Sequence, residues 1–221
     1  MINKNFKTSN AFTLAEVLIT LGVIGVVAAM TLPNLMSNYR GHVAVQKLKK
    51  VSTILLQTAQ KADYDNSTNI FKNQREGFTP QDPDAALEMF NKYYVPYMDF
   101  ERVEKGKYGV FGYLQDGIAL YFYKHFSPNN WASTYMLVCL THKVCEDLNT
   151  ENISTDTKKI PDGKTIFLLY TNGQIPNYSL YNSTREQRIE QCKNQTGSPE
   201  ACTALLFEAG WSVPKDYPIR F

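Results

Sequence analysis

The chain has 221 residues, 43% of them apolar and 20% charged, and a formal net charge of +2. That length suits one extended module plus one compact domain rather than several domains. The charge is close to balanced and the lysines are spread along the chain, so no basic block demands nucleic acid as a partner.

The first eleven residues, MINKNFKTSNA, are polar and carry Lys4 and Lys7. From Phe12 to Leu32 there follow 21 residues with a single charge, Glu16. As a helix such a run spans about 31 Å, the thickness of a hydrocarbon core. Eleven of its residues are Leu, Ile, Val or Phe. Each favours insertion by about 0.3 to 0.6 kcal/mol, whereas a central carboxylate costs about 2.5 kcal/mol or more, and less near the helix end. Insertion therefore tolerates Glu16 without gaining from it. The basic leader keeps the N-terminus in the cytoplasm and sends the rest outward. A conventional signal peptide cut after Val27-Ala28-Ala29 is the competing expectation. Against it stand the length of the apolar run, the acid near its start and the absence of a polar break before the next helical pattern.

That pattern runs from Asn34 to Asp63, with Leu35, Tyr39, Val43, Leu48, Val51, Leu55, Ala59 and Ala62 on one face. Arg40, Lys47, Lys49, Lys50 and Lys61 sit largely off it, as in a helix that packs on a domain through one stripe. Pro33 is expected to bend the helix or loosen one turn rather than end it.

A polar basic leader, a small residue, Phe12-Thr13-Leu14-Ala15-Glu16, about twenty apolar residues and Pro33 together resemble the class III signal of type IV pilins and type II secretion pseudopilins. The resemblance implies that a prepilin peptidase cuts between Ala11 and Phe12 and that the new Phe12 amine is N-methylated. It makes Thr13, Leu14, Glu16 and Pro33 the processing and assembly residues. One departure is Ala11, where the family carries Gly; Ala is the next smallest residue, so slower cleavage is expected. The leader takes Lys4 and Lys7 with it, which brings the 23 basic side chains level with the 21 acidic ones. In this reading Glu16 pairs with the Phe12 amine of a neighbouring subunit in a filament core and fixes the register of assembly. For a lone membrane anchor, the carboxylate would instead snorkel to the headgroups or be protonated.

Residues 64–81 are polar and turn-rich and read as a loop, followed by a short helix that holds Ala86, Leu87, Met89, Phe90, Tyr93 and Tyr94. Asp116-Gly117 marks a hairpin between strands 108–115 and 118–126. YMLVCLTH at 135–142 and KTIFLLYTNGQI at 164–175 supply a third and fourth strand, with Asn172-Gly173 turning into a short fifth. Two short helices flank Cys192 and Cys202, before a tail, WSVPKDYPIRF, expected to lie on the fold. Cys139 with Cys145 and Cys192 with Cys202 are close pairs suited to local disulfide loops, one of three connectivities four cysteines allow. Oxidised, they imply an extracytoplasmic location.

The expected fold is thus α+β and pilin-like. It comprises a leader at 1–11, a membrane and filament-core helix at 12–33, an amphipathic helix at 34–63, and an exported domain at 64–221 that pairs a small antiparallel sheet with a disulfide-closed end. Catalytic signatures are missing: there is no Gly-rich phosphate loop, GxSxG or HExxH, and His42, His125 and His142 stand in unrelated contexts. A zinc site would have to borrow His142 beside Cys139 and Cys145 at spacings unlike zinc signatures. Asp147, Asp156 and Asp162 could line a calcium site, but the EF-hand spacing is absent and turn chemistry accounts for them, so no cofactor is expected.

The expected function is a non-enzymatic pilin or pseudopilin subunit, major or minor. It would sit in the bacterial inner membrane before joining a filament, with the peptidase, an assembly platform and other subunits as partners. The competing expectation is an exported, membrane-anchored ligand-binding or adhesin protein that does not polymerise.

Overall fold

The computed structural model describes residues 13–67, 69, 82–125, 133–150, 162–171, 174, 182–195 and 200–221. The chain divides into two compact units, Met1–Tyr39 and Arg40–Phe221.

Helix α1, Leu14–Asp65, contributes to both and continues through Pro33. In the second unit it buries Ala44, Val45, Leu48, Val51, Leu55, Thr58, Ala59 and Ala62, steps of three and four that keep one stripe inward. Leu48, Val51, Leu55, Ala59 and Ala62 belong to the expected face, whereas Leu35 and Tyr39 are exposed and Val43 is half-buried. Helix α2, Pro83–Tyr93, starts where Asp82 accepts from the Asp84 and Ala85 amides at 3.0 and 3.1 Å and Pro83 supplies a preset φ.

Strands β1 Phe100–Lys105, β2 Gly109–Leu114, β3 Ala119–His125, β4 Ser133–Cys139 and β5 Ile166–Tyr170 lie in that order as one antiparallel meander. The β2–β3 hairpin pairs Tyr113 with Ala119, and the Leu114 amide donates to Ile118 O at 2.8 Å. Its loop is therefore Gln115-Asp116-Gly117, with Gly117 at φ +84°, a three-residue turn closed by a left-handed glycine. The expected two-residue Asp-Gly turn is corrected by one residue on the β2 side.

Side chains alternate between two buried faces. Val110, Leu120, Phe122, Met136, Val138, Phe167 and Leu169 join the stripe of α1 and the α2 residues Ala86, Phe90 and Tyr93. Lys47 Nζ donates to Leu140 O at 3.0 Å and Lys50 pairs with Asp116 at 2.6 Å, fixing α1 across the sheet. The opposite face carries Phe111, Tyr113, Ala119, Tyr121, Tyr123, Leu137 and Leu168, with Cys145 and Leu148 of helix α3, His142–Thr150, in the same cluster. The expected third strand ended at His142, but β4 stops at Cys139 and the chain turns into α3. Strand β1 had no counterpart in the sequence reading, and the expected fifth strand after Asn172-Gly173 lies outside the described residues.

The two short helices expected around Cys192 and Cys202 are α4, Arg185–Asn194, and α5, Ala201–Glu208. Thr184 and Gln187 close a capping box at the start of α4. The Thr203 hydroxyl on α5 accepts from the Leu168 amide at 3.3 Å, which covers the outer edge of β5. The tail lies on the fold as expected. Arg185 forks onto Asp216 at 3.0 and 2.8 Å and reaches Glu208 at 3.1 Å, Arg188 also pairs with Glu208, and the Tyr217 hydroxyl donates to Gly163 O at 2.5 Å.

Candidate membrane and assembly segment

Residues 14–32 of α1 form a helix that is apolar on nearly every side, with Glu16 its only charge. Leu14, Leu18, Ile19, Leu21, Val23, Ile24, Val26, Val27, Met30 and Leu32 are all exposed. A helix without a polar face is stable only in lipid or inside a larger assembly. The segment is long and apolar enough to cross a membrane, and none of it is buried within the chain. Among the described residues, no side chain or backbone atom outside the helix lies within 4 Å of a Cβ placed on Gly22 or Gly25.

The single carboxylate of this segment is partnered locally. Glu16 Oε2 accepts from the Thr13 amide and the Thr13 hydroxyl, each at 2.8 Å, while the Glu16 amide donates to Thr13 Oγ1 at 3.2 Å. The Thr13 carbonyl accepts the first helical bond, from Val17 at 3.2 Å. Thr13 is thus the N-cap and Glu16 the third helical residue of a reciprocal capping box. Two amides at the helix start that lack an intrahelical partner are satisfied, and the carboxylate sits at the positive end of the helix dipole. The T-x-x-E spacing announces this arrangement, and the sequence reading, occupied with charge, passed over it. Leu14 stands exposed beside the box and Pro33 lies within the helix. Ala11 and Phe12 lie outside the described residues.

The cysteines are joined as Cys139–Cys145 and Cys192–Cys202, with Cα separations of 5.7 and 4.8 Å. The first ties β4 to α3 and the second α4 to α5. Bonded cysteines are not metal ligands, and the His142 ring meets Leu114 O at 2.7 Å. Asp162 caps a turn, accepting from Lys164, Thr165 and Ile166 amides at 2.9, 2.7 and 2.7 Å. Asp147 pairs with Lys143 at 3.4 Å, and Asp156 lies outside the described residues. Among the described residues no group of three His, Cys, Asp or Glu side chains is arranged to hold a metal ion. Burial would raise the Asp116 carboxyl, but the Lys50 hydrogen bond and charge and the Ile118 amide together hold it below its ordinary value. That makes it a structural anion rather than a proton donor near neutral pH.

The sequence model of a family of unknown function, DUF6613, matches residues 34–221, beginning one residue past Pro33. No pilin or pseudopilin family model matches. No curated protein and no solved structure matches the chain.

Proposed function

The chain belongs to DUF6613, a family of unknown function, and from that premise we propose that it is a pilin-like structural subunit of a type IV filament or type II secretion pseudopilus, not an enzyme. The observation that carries this reading is the exposed, all-apolar helix whose one carboxylate is set by Thr13 at its very start. The basic leader and the Ala11-Phe12 bond that precede it resemble a prepilin signal. The chain enters the cytoplasmic membrane with its N-terminus inside and its disulfide-bearing domain outside. A prepilin peptidase removes residues 1–11, Phe12 is methylated, and an assembly platform draws the apolar helix from lipid into a helical core. The capping box holds Glu16 while the subunit waits in the bilayer. In the filament the Phe12 amine of a neighbour supplies the compensating charge, which favours one register over others.

The test is a Glu16→Gln variant of the full chain, expressed with its assembly machinery and followed by membrane fractionation and by shearing of surface filaments. Gln keeps the size and the ability to accept from Thr13 while removing the charge. We expect normal membrane insertion and a loss of at least about tenfold in the filament fraction, the equivalent of about 1.4 kcal/mol. Filament incorporation equal to that of the unsubstituted chain contradicts the pairing. A second reading, an exported anchored protein that binds a ligand without polymerising, is favoured by one observation: the family match covers the globular part and leaves the apolar segment outside it. Membrane retention with no sheared fraction for the unsubstituted chain would select it.

A further inference from the structure

The end of the globular unit that holds Gly41 carries an excess of positively charged side chains. A Cβ placed on Gly41 would stand 3.0 Å from the Phe221 ring and 3.1 Å from Val213, so α1 and the tail meet there more closely than a side chain ordinarily allows without a shift of its neighbours. Arg40 adjoins Gly41, Lys215 follows Val213 by two residues and Arg220 adjoins Phe221. All three are exposed, and among the described residues none has an ion-pair partner. The acids of the tail region are already engaged, Asp216 by Arg185 and Glu208 by Arg185 and Arg188. Two arginines and two carboxylates cancel, and Arg40, Lys215 and Arg220 are left over. Beside them Val213 and Phe207 are 39% and 45% exposed, and Phe207 meets Trp211 edge-on at 5.6 Å. Unpaired cations around a tryptophan and small apolar groups match the boundary between headgroups and acyl chains, where an indole is at home and phosphates are the counter-ions.

We propose that this end of the globular unit is a docking surface for the anionic phospholipid headgroups of the bilayer that holds the apolar segment. Arg40, Lys215 and Arg220 pair with lipid phosphates, and Trp211 and Val213 settle at headgroup level. The proposal rests on the membrane-anchored part of the reading above. Arg40 lies seven positions after Pro33, and in any conformation that stretch spans no more than about 25 Å. The tether therefore keeps the three cations within reach of the bilayer surface, and each Lys or Arg that comes close to it favours contact about fivefold. Release of these contacts is then one of the costs of leaving the membrane.

The experiment uses the full chain with Trp131→Phe, which leaves Trp211 as the sole tryptophan. It is reconstituted singly in lipid nanodiscs of phosphatidylcholine, with or without phosphatidylglycerol, that carry a headgroup-attached fluorescence quencher. We expect Trp211 quenching at least about twofold stronger in the anionic discs, abolished in 1 M NaCl, where charges are screened beyond about 3 Å. The difference is also expected to vanish in the triple variant Arg40→Gln, Lys215→Gln, Arg220→Gln. Equal quenching in both lipids, or a difference that survives the triple substitution, overturns the proposal. So does a difference seen only in discs that hold two chains, which would make the surface a contact between copies. Failure of the chain to enter discs of either lipid overturns the membrane reading, and this proposal with it.

Discussion

Thr13 and Glu16 illustrate how one residue pair can carry two kinds of information. Their spacing is that of a capping box, and the structure closes it with three hydrogen bonds. Read as an isolated charge in lipid, Glu16 was an insertion penalty; read with Thr13, it is also the group that starts the helix. The box was fully legible, because it depends only on residues three apart. Asp216 shows the opposite case. Nothing in its neighbourhood along the chain points to Arg185, thirty-one positions away, which forks onto it. The hydrogen bonds from Arg185 hold the Asp216 carboxyl below its ordinary value, against a smaller raising effect of burial. Because the folded value lies below that of the unfolded chain, near 3.9, the pair stabilises the tail fully above that pH. Its contribution fades as pH falls through the folded value. An acid titration below about pH 4, followed by Trp211 emission in a Trp131→Phe background, should shift as the tail loosens. Asp216→Asn should remove that transition, and a variant that titrates unchanged would assign the acid response to another group.

Helix α1 was the most legible element, because its apolar periodicity is long and unbroken. The reading erred at its upper end. Leu35 and Tyr39 fit the same stripe as Leu48, yet they are exposed, since periodicity marks a face and not where the domain begins to cover it. Ala44 and Thr58 escaped notice because small and polar residues contribute little to an apolar pattern, and Val45 because it falls one residue off the stripe, yet all three are buried. Strand β1 was missed because Glu101, Arg102, Glu104 and Lys105 dominate its six residues. Such charges are how an edge strand avoids pairing with other chains. Helix α3 had no counterpart in the sequence reading, and the expected third strand overran β4 by three residues because YMLVCL is apolar throughout. Leu48 is fully buried, so Leu48→Ala should cost about 2 to 5 kcal/mol in denaturant unfolding of the full chain in detergent. Gln46→Ala on the exposed side should stay within about 0.5 kcal/mol. Equal effects at both positions would place the buried stripe elsewhere.

At the scale of the molecule, a family-matched α+β domain follows an apolar helix that the family match does not cover. The α+β layout followed from local patterns, while the structure selects one of the three connectivities that the cysteine spacing left open. The order in which the sheet's two faces are covered depends on contacts far apart in sequence. The two disulfides close loops of 6 and 10 residues. On the chain-entropy estimate each contributes about 2 to 3 kcal/mol. Reductant should therefore lower the unfolding midpoint of the globular part in two steps as the bonds are broken, and an unchanged midpoint would make the bonds incidental to stability. Sequence local to residues 11–33 decides the larger question, whether the chain is processed and polymerises. The most direct measurement is intact mass with N-terminal sequencing of the protein recovered from membranes of cells that contain a prepilin peptidase. A mature chain that begins with N-methylated Phe12 is the expected result. An N-terminus at Met1, or a cut after Ala29, would contradict it.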